Sequence, residues 1–125
     1  LCLMDELTDI EAALKLSSIY LELNPKTDYY SLDILNALAL GNAVVSWQNE
    51  VNKELVPSEF QEYLSENGDA KKLVEVFTKL LEMDAQKRDF TGRISRNYVL
   101  NNFNIKNMEE LLIDAYRTLS FSKAS

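Results

Sequence analysis

Apolar residues recur at intervals of three and four positions along most of the chain, which is the spacing of one face of an α-helix. Five segments carry this pattern: about 8–23, 28–55, 58–67, 69–81 and 107–119, and a further helix is expected over about 93–102. With only three glycines and two prolines, few residues favour turns. The pattern predicts an all-α protein, a compact single-domain bundle of about six helices over residues 1–125, with frayed ends at 1–7 and 120–125.

Helix-terminating residues support several of these boundaries. Thr8 followed by Glu11 predicts a capping box at the start of the first helix. Pro25 ends that helix, because its ring disfavours helical geometry in the preceding residue. Asn67-Gly68 supplies the left-handed residue that commonly closes a helix, and Asp69 is expected to cap the next one.

The second segment has the longest helical period. Its apolar stripe comprises Ala37, Leu40, Val44, Trp47, Val51 and Leu55. We expect one long helix with Gly41 inside it, and a break at Gly41-Asn42 is the alternative. Trp47 lies in the stripe and is therefore expected to be a core residue rather than a binding anchor.

The last two helices differ in their patterning. The chain is expected to turn at Phe90-Thr91-Gly92. Between 93 and 102 the apolar residues scatter around the helix, so this helix has no clear buried face. In the sixth helix they form a narrow seam of Met108, Leu111, Leu112, Ala115 and Leu119. Asn107 and Glu110 are expected to cap that helix.

Charge is distributed unevenly along the chain. The net charge is −7, which argues against non-specific binding to nucleic acid. Residues 1–85 carry six basic and 16 acidic side chains, a net of −10. Residues 86–107 carry five basic side chains against Asp89 alone, a net of +4. The chain therefore has one basic segment in an otherwise acidic sequence.

That basic segment contains the candidate binding residues. They combine guanidinium and ammonium groups with side-chain amides: Lys87, Arg88, Arg93, Arg96, Asn97, Asn101 and Lys106. On a helical wheel Arg96, Asn97 and Asn101 fall within about 80° of Arg93. Guanidinium groups bind phosphate oxygens and amides hydrogen-bond sugars or bases, so nucleic acid is one possible ligand. The alternative is an acidic surface of the same fold or of a protein partner.

Most enzyme classes are excluded by composition. The chain has no histidine and one cysteine, Cys2, so no Cys-His or Ser-His-Asp nucleophile can form within it. Its three glycines are far apart in sequence, so no glycine-rich phosphate loop exists. We predict no catalytic residue, cofactor or metal site in this chain.

These observations favour a non-enzymatic helical protein-interaction subunit of a larger assembly, whose partner is another protein. The alternative is an accessory small subunit of a nucleic-acid-handling complex, such as a CRISPR-type effector, that contacts single-stranded DNA or RNA through residues 87–106. No apolar run reaches the roughly 18 residues of a membrane span, so no membrane partner is expected. The single cysteine agrees with a cytoplasmic location.

Overall fold

A three-stranded parallel sheet lies at the centre of the molecule, in the order β1-β2-β3. The computed structural model describes residues 9–24 and 30–122, without the side chains of 120–122. The strands are β1 Ile19–Glu22, β2 Ala43–Trp47 and β3 Leu64–Ser65. The helices are α1 Ile10–Leu16, α2 Leu32–Ala39, α3 Glu50–Leu55, a 3₁₀ helix Ser58–Tyr63, α4 Ala70–Leu81, α5 Ala85–Asn102 and α6 Ile105–Ser122.

The prediction of an all-α bundle was therefore wrong. The described chain is rich in helix, but it is a mixed α/β fold. Residues 19–22 were assigned to the first helix and residues 43–47 to the second. Both are short apolar runs, which match the helical spacing as well as a buried strand does. Strand pairing supplies the missing information, because Ile19 lies opposite Ala43 and Glu22 opposite Ser46.

β2 is the central strand, and its position explains its sequence. It pairs with β1 on one side and with β3 on the other. Strands of a parallel sheet that are covered on both faces read as continuous apolar runs instead of alternating ones. Ala43, Val44 and Val45 are all buried accordingly, and so is Ser46.

The break at Gly41-Asn42, given as the alternative, is what the structure contains. Gly41 has φ +85°, a left-handed conformation that glycine adopts without strain and that ends α2. Asn42 is fully buried, and its amide donates to Leu14 O at 3.0 Å and to Ala37 O at 3.3 Å. Its Oδ1 accepts from Ser17 Oγ at 2.7 Å. This side chain thus joins the ends of α1 and α2 at the start of β2.

Trp47 is half-buried at the end of β2 and does not lie on a helix. Its indole nitrogen donates to Leu23 O at 3.0 Å, which links β2 to the residue after β1. The expected capping box at the start of α1 includes Thr8, which lies outside the described residues. Asp9 is the N-cap instead, and its side chain accepts from Ala12 N at 2.9 Å.

The fourth helix begins as predicted. Asp69 caps α4 by accepting from Lys72 N at 3.0 Å. Gly68 has the expected left-handed φ of +89°, but it does not close the third predicted helix, because the 3₁₀ helix ends at Tyr63 and residues 64–65 form β3. The fifth helix is longer than predicted. Asp84 caps it, and α5 continues through Phe90–Gly92, where a turn was expected.

Gly92 explains why α5 looked weakly amphipathic. A Cβ atom at this position would lie 2.8 Å from Gly41 O, so α5 approaches the end of α2 at backbone distance. Thr91 and Ser95 are the buried residues of this helix, and both are small and polar. Small residues take up part of the packed face, and only the half-buried Ile94 and Val99 add apolar side chains to it, so the sequence shows no clear apolar stripe. Of the ends expected to fray, 1–7 and 123–125 lie outside the described residues, whereas 120–122 continue α6.

Candidate functional site

The predicted binding residues fall into three groups in the structure. Four of them share the exposed face of α5, opposite the buried Thr91 and Ser95: Arg93, Arg96, Asn97 and Asn101. Lys87 and Arg88 lie in the first turn of α5, away from that face, and Lys106 lies in the first turn of α6. The four residues on α5 therefore form one surface that the other three do not extend.

Arg88 faces a small cleft at the amino ends of β1 and β2. The cleft has a volume of about 210 Å³, and its lining includes Ser17, Ser18 and Asp89 beside Arg88. Acidic neighbours reduce the positive charge of α5 on both sides of this residue. Lys87 pairs with Asp84 at 3.9 Å, and Arg93 pairs with Asp89. Within the described ranges, Arg88, Arg96 and Lys106 form no ion pair.

Helix α6 carries the most unusual surface of the described chain. The large apolar side chains that the structure describes on this helix are between 50% and 72% exposed: Ile105, Met108, Leu111, Leu112, Ile113, Tyr116 and Leu119. The sequence predicted an apolar seam here, and the seam was expected to pack within the bundle. The described body of the protein does not cover it, so the seam is a surface feature.

The exposed seam is also wider than the sequence stripe suggested. At 100° per residue, Ile105 and Tyr116 adjoin the predicted residues and extend the apolar sector to about 140° of the helix. We call this sector the docking face. It comprises Ile105, Met108, Leu111, Leu112, Ala115, Tyr116 and Leu119. Glu109 lies beside one edge of it, and Glu110, Asp114 and Arg117 lie on the opposite side.

An asparagine-rich corner sets the direction in which α6 leaves α5. Asn104 Oδ1 accepts from Asn107 N at 2.9 Å and so caps α6, whereas Asn107 was the predicted cap. Asn104 Nδ2 donates to Leu100 O at 2.7 Å, and Asn107 Nδ2 donates to Asn101 O. These bonds join the last turn of α5 to the first turn of α6. The asparagines at this corner are therefore structural.

Aromatic rings fix the same corner to the body. The rings of Tyr98 and Phe103 meet edge to face at 5.8 Å. Tyr98 Oη donates to Glu54 O at 2.7 Å, and partial burial raises the pKa of this phenol. Because the corner is bonded both within itself and to the end of α3, α6 is presented in a defined direction.

The carboxyl edge of the sheet could not be predicted as a site from the sequence, because no strands were predicted. Open parallel sheets usually bind ligands beyond this edge. Here the polar groups of the edge largely bond to one another. Tyr20 Oη donates to the Glu22 carboxylate at 3.2 Å, and Ser46 Oγ donates to Glu22 O at 2.9 Å. Asn52 Oδ1 and Ser65 Oγ have no hydrogen-bond partner, but both atoms are fully buried.

The described residues contain no group of three or more acidic or cysteine side chains placed to hold a metal ion. None of their helices is both long and apolar enough to cross a bilayer.

Comparison of the chain with protein-family models, with curated proteins and with solved structures gave no match.

Proposed function

We propose that this chain is a non-enzymatic protein-interaction subunit of a larger assembly, and that it binds its partner through the docking face of α6. The exposure of that face is the observation that supports the proposal. Contiguous apolar patches of this kind on a folded protein commonly mark interaction surfaces. Amphipathic helices bind partners in the same way, by laying their apolar face into a groove.

The energetics favour a covered docking face. Burying a leucine-sized side chain contributes about 1.5–3 kcal/mol, and the large side chains of this face are at least half exposed. Six such side chains are a large gross contribution compared with the 8 kcal/mol or so of a micromolar complex, before the costs of association are subtracted. While these side chains are in contact with water, that contribution is not made.

The test introduces one charge at the centre of the docking face. Leu112→Asp changes the net charge by −1 and places a carboxylate against the partner. Arg117→Gln changes the net charge by the same amount on the opposite side of α6 and serves as the matched control. We expect Leu112→Asp to weaken binding of a co-purified native partner by about 30-fold or more, as for a central interface residue. Equal binding of both variants and the wild type would refute the proposal.

A second candidate function is contact with single-stranded nucleic acid through the exposed face of α5, within an accessory subunit. Its support is the shared face of Arg93, Arg96, Asn97 and Asn101. The pairing of Arg93 with Asp89 weakens it. If this face contacts phosphate, Arg96→Gln lowers the slope of log affinity against log salt concentration by about 1. Arg117→Gln, on α6, is expected to leave that slope unchanged.

A further inference from the structure

The shape and charge of the docking face restrict what can cover it. We infer that its occupant is a folded domain other than a copy of this one, with an apolar groove formed by at least two secondary-structure elements and a lysine or arginine at the rim facing Glu109. This inference rests on the proposed function of α6 and specifies its partner.

The width of the docking face argues against pairing with a second α6. A two-stranded coiled coil buries a narrow seam at every third and fourth position, here Ile105, Met108, Leu112, Ala115 and Leu119. Leu111 and Tyr116 flank that seam, and they are 71% and 72% exposed. Two α6 helices in contact would leave both flanking side chains in water. A sector of about 140° is instead the width of a helix that packs into the core of a globular protein.

The charges also argue against self-association. Flanking positions of a coiled coil specify the partner when they carry complementary charges. Here those positions hold Glu109 and Tyr116 on one side and Leu111 and Thr118 on the other, so no opposite charge faces Glu109. The whole chain has a net charge of −7, and two copies therefore repel each other.

A lipid surface does not fit the docking face either. Helices that lie on anionic membranes carry many lysines and arginines on their polar face. The described part of α6 carries Lys106 and Arg117 against Glu109, Glu110 and Asp114, a net of −1. Anionic headgroups would therefore repel this helix.

A protein groove satisfies each of these constraints. The docking face runs from Ile105 to Leu119, about 21 Å along the helix axis, so the groove is of that length. Two elements are needed to contact a sector of about 140°, because a single facing helix covers only the narrow seam. Glu109 lies at the edge of the docking face, where a cation of the partner would meet it without being buried.

Charge reversal on the two adjacent glutamates tests the rim. Glu109→Lys and Glu110→Lys make the same change in net charge, but Glu110 points away from the docking face. We expect Glu109→Lys to lower the affinity for the native partner about 10-fold, mainly by slowing association, and to lose that effect in high salt. Glu110→Lys is expected to change the affinity less than about 2-fold. Equal effects of the two variants would overturn the inference.

Photo-crosslinking from the two edges tests the groove. A photoreactive residue replaces Leu111 or Tyr116 in the full-length protein in its native host, and Leu112→Asp is added as the unbound control. The expected result is that the two positions label two sequence-separated elements of one folded domain, and that the control labels neither. Light scattering detects a dimer of this chain, and sedimentation with phosphatidylglycerol vesicles detects binding to a lipid surface.

Each failure has a distinct meaning. Crosslinks to a second copy, or a dimer that Leu112→Asp dissociates, overturn the inference and leave the protein-binding function standing. Vesicle binding that Leu112→Asp abolishes, without a crosslink to protein, overturns both. If Leu112→Asp does not reduce the labelling, the docking face does not bind the partner, and both proposals are overturned.

Discussion

At the scale of single residues, Gly41 and Gly92 let the backbones of α2 and α5 approach each other. Gly41 supplies the left-handed turn that ends α2, and Gly92 lets α5 cross that turn. An alanine at Gly92 would place its Cβ against a backbone carbonyl, which cannot rotate away. The pair therefore fixes the separation of the two helices.

We expect Gly92→Ala to destabilise the protein by about 1–3 kcal/mol, because overpacking outweighs the gain of about 1 kcal/mol in helix propensity. Asn97→Ala lies on the exposed face of the same helix and is the control, with an expected gain of about 0.5 kcal/mol or less. Urea unfolding measures both. A Gly92→Ala protein more stable than the wild type would contradict the close approach of α5 and α2.

Tyr20 in β1 is expected to make the stability of the fold fall at high pH. Burial raises the pKa of its phenol above the usual value near 10, and the neighbouring carboxylates of Glu22 and Asp33 raise it further. The folded state therefore holds this proton more tightly than the unfolded state does. Its contribution to stability is complete below about pH 10 and is lost as the pH rises through the folded-state pKa.

The corresponding variant is Tyr20→Phe. We expect its free energy of unfolding to fall less steeply above pH 10 than that of the wild type, by up to about 1.4 kcal/mol per pH unit. Tyr116→Phe removes an exposed phenol from α6 and is the control. Parallel pH profiles for the wild type and Tyr20→Phe would show that this phenol does not titrate differently on unfolding.

At the scale of elements, the structure separates α6 from the other helices. Helices α2 and α4 bury Ile34, Leu38, Val76 and Leu80 against the sheet, but α6 buries none of its described large apolar side chains. Its attachment is the asparagine corner after α5. The stability of the body is therefore expected to be independent of α6.

Truncation after Asn104 tests this independence. We expect the shortened chain to keep its unfolding midpoint within a few degrees, because removal of α6 exposes no core residue. Binding of a dye that reports exposed apolar surface, such as ANS, is expected to fall. Thermal circular dichroism and dye fluorescence make the measurement. A large drop in the midpoint would show that α6 packs on the body in solution.

Local signals predicted the elements that depend on local residues. Asp69 marks the start of α4, and the apolar seam marks α6, because capping and periodicity act within a few positions. The strands were missed because their evidence is pairing between residues far apart, such as Ser46 with Leu64. The length of α5 was missed because Gly92 indicates a turn unless its close contact with Gly41 is known.

At the scale of the whole molecule, the candidate site could be predicted only in part. The sequence identified the basic face of α5 and the apolar seam of α6, but it assigned the seam to the core. Whether an apolar stripe is buried depends on the rest of the fold. In the predicted all-α bundle other helices would pack on the seam of α6, whereas in the α/β fold no described element covers it. The same residues therefore changed from expected core to proposed docking face.

The amides of β2 and those of α6 are expected to exchange with solvent at different rates. β2 is buried between two strands, so its amides exchange with solvent only when the sheet unfolds. Helix α6 buries none of its described large apolar side chains, so its amides are expected to exchange through opening of that helix alone. Hydrogen exchange followed by mass spectrometry should show peptides from 105–119 exchanging at least about 100-fold faster than those from 43–47.

Partner binding is then expected to narrow this difference in exchange rate. When the docking face is covered, exchange in 105–119 should slow by at least about 10-fold, whereas exchange in α5 should stay unchanged. Residues 85–102 are the internal control, because that helix already packs on α2 through Gly92 and is not part of the docking face. If 105–119 were as protected as 43–47 in the free protein, α6 would already be covered in solution and could not be the free docking element. Protection that appears on α5 and not on α6 would move the binding surface to Arg93 and Arg96.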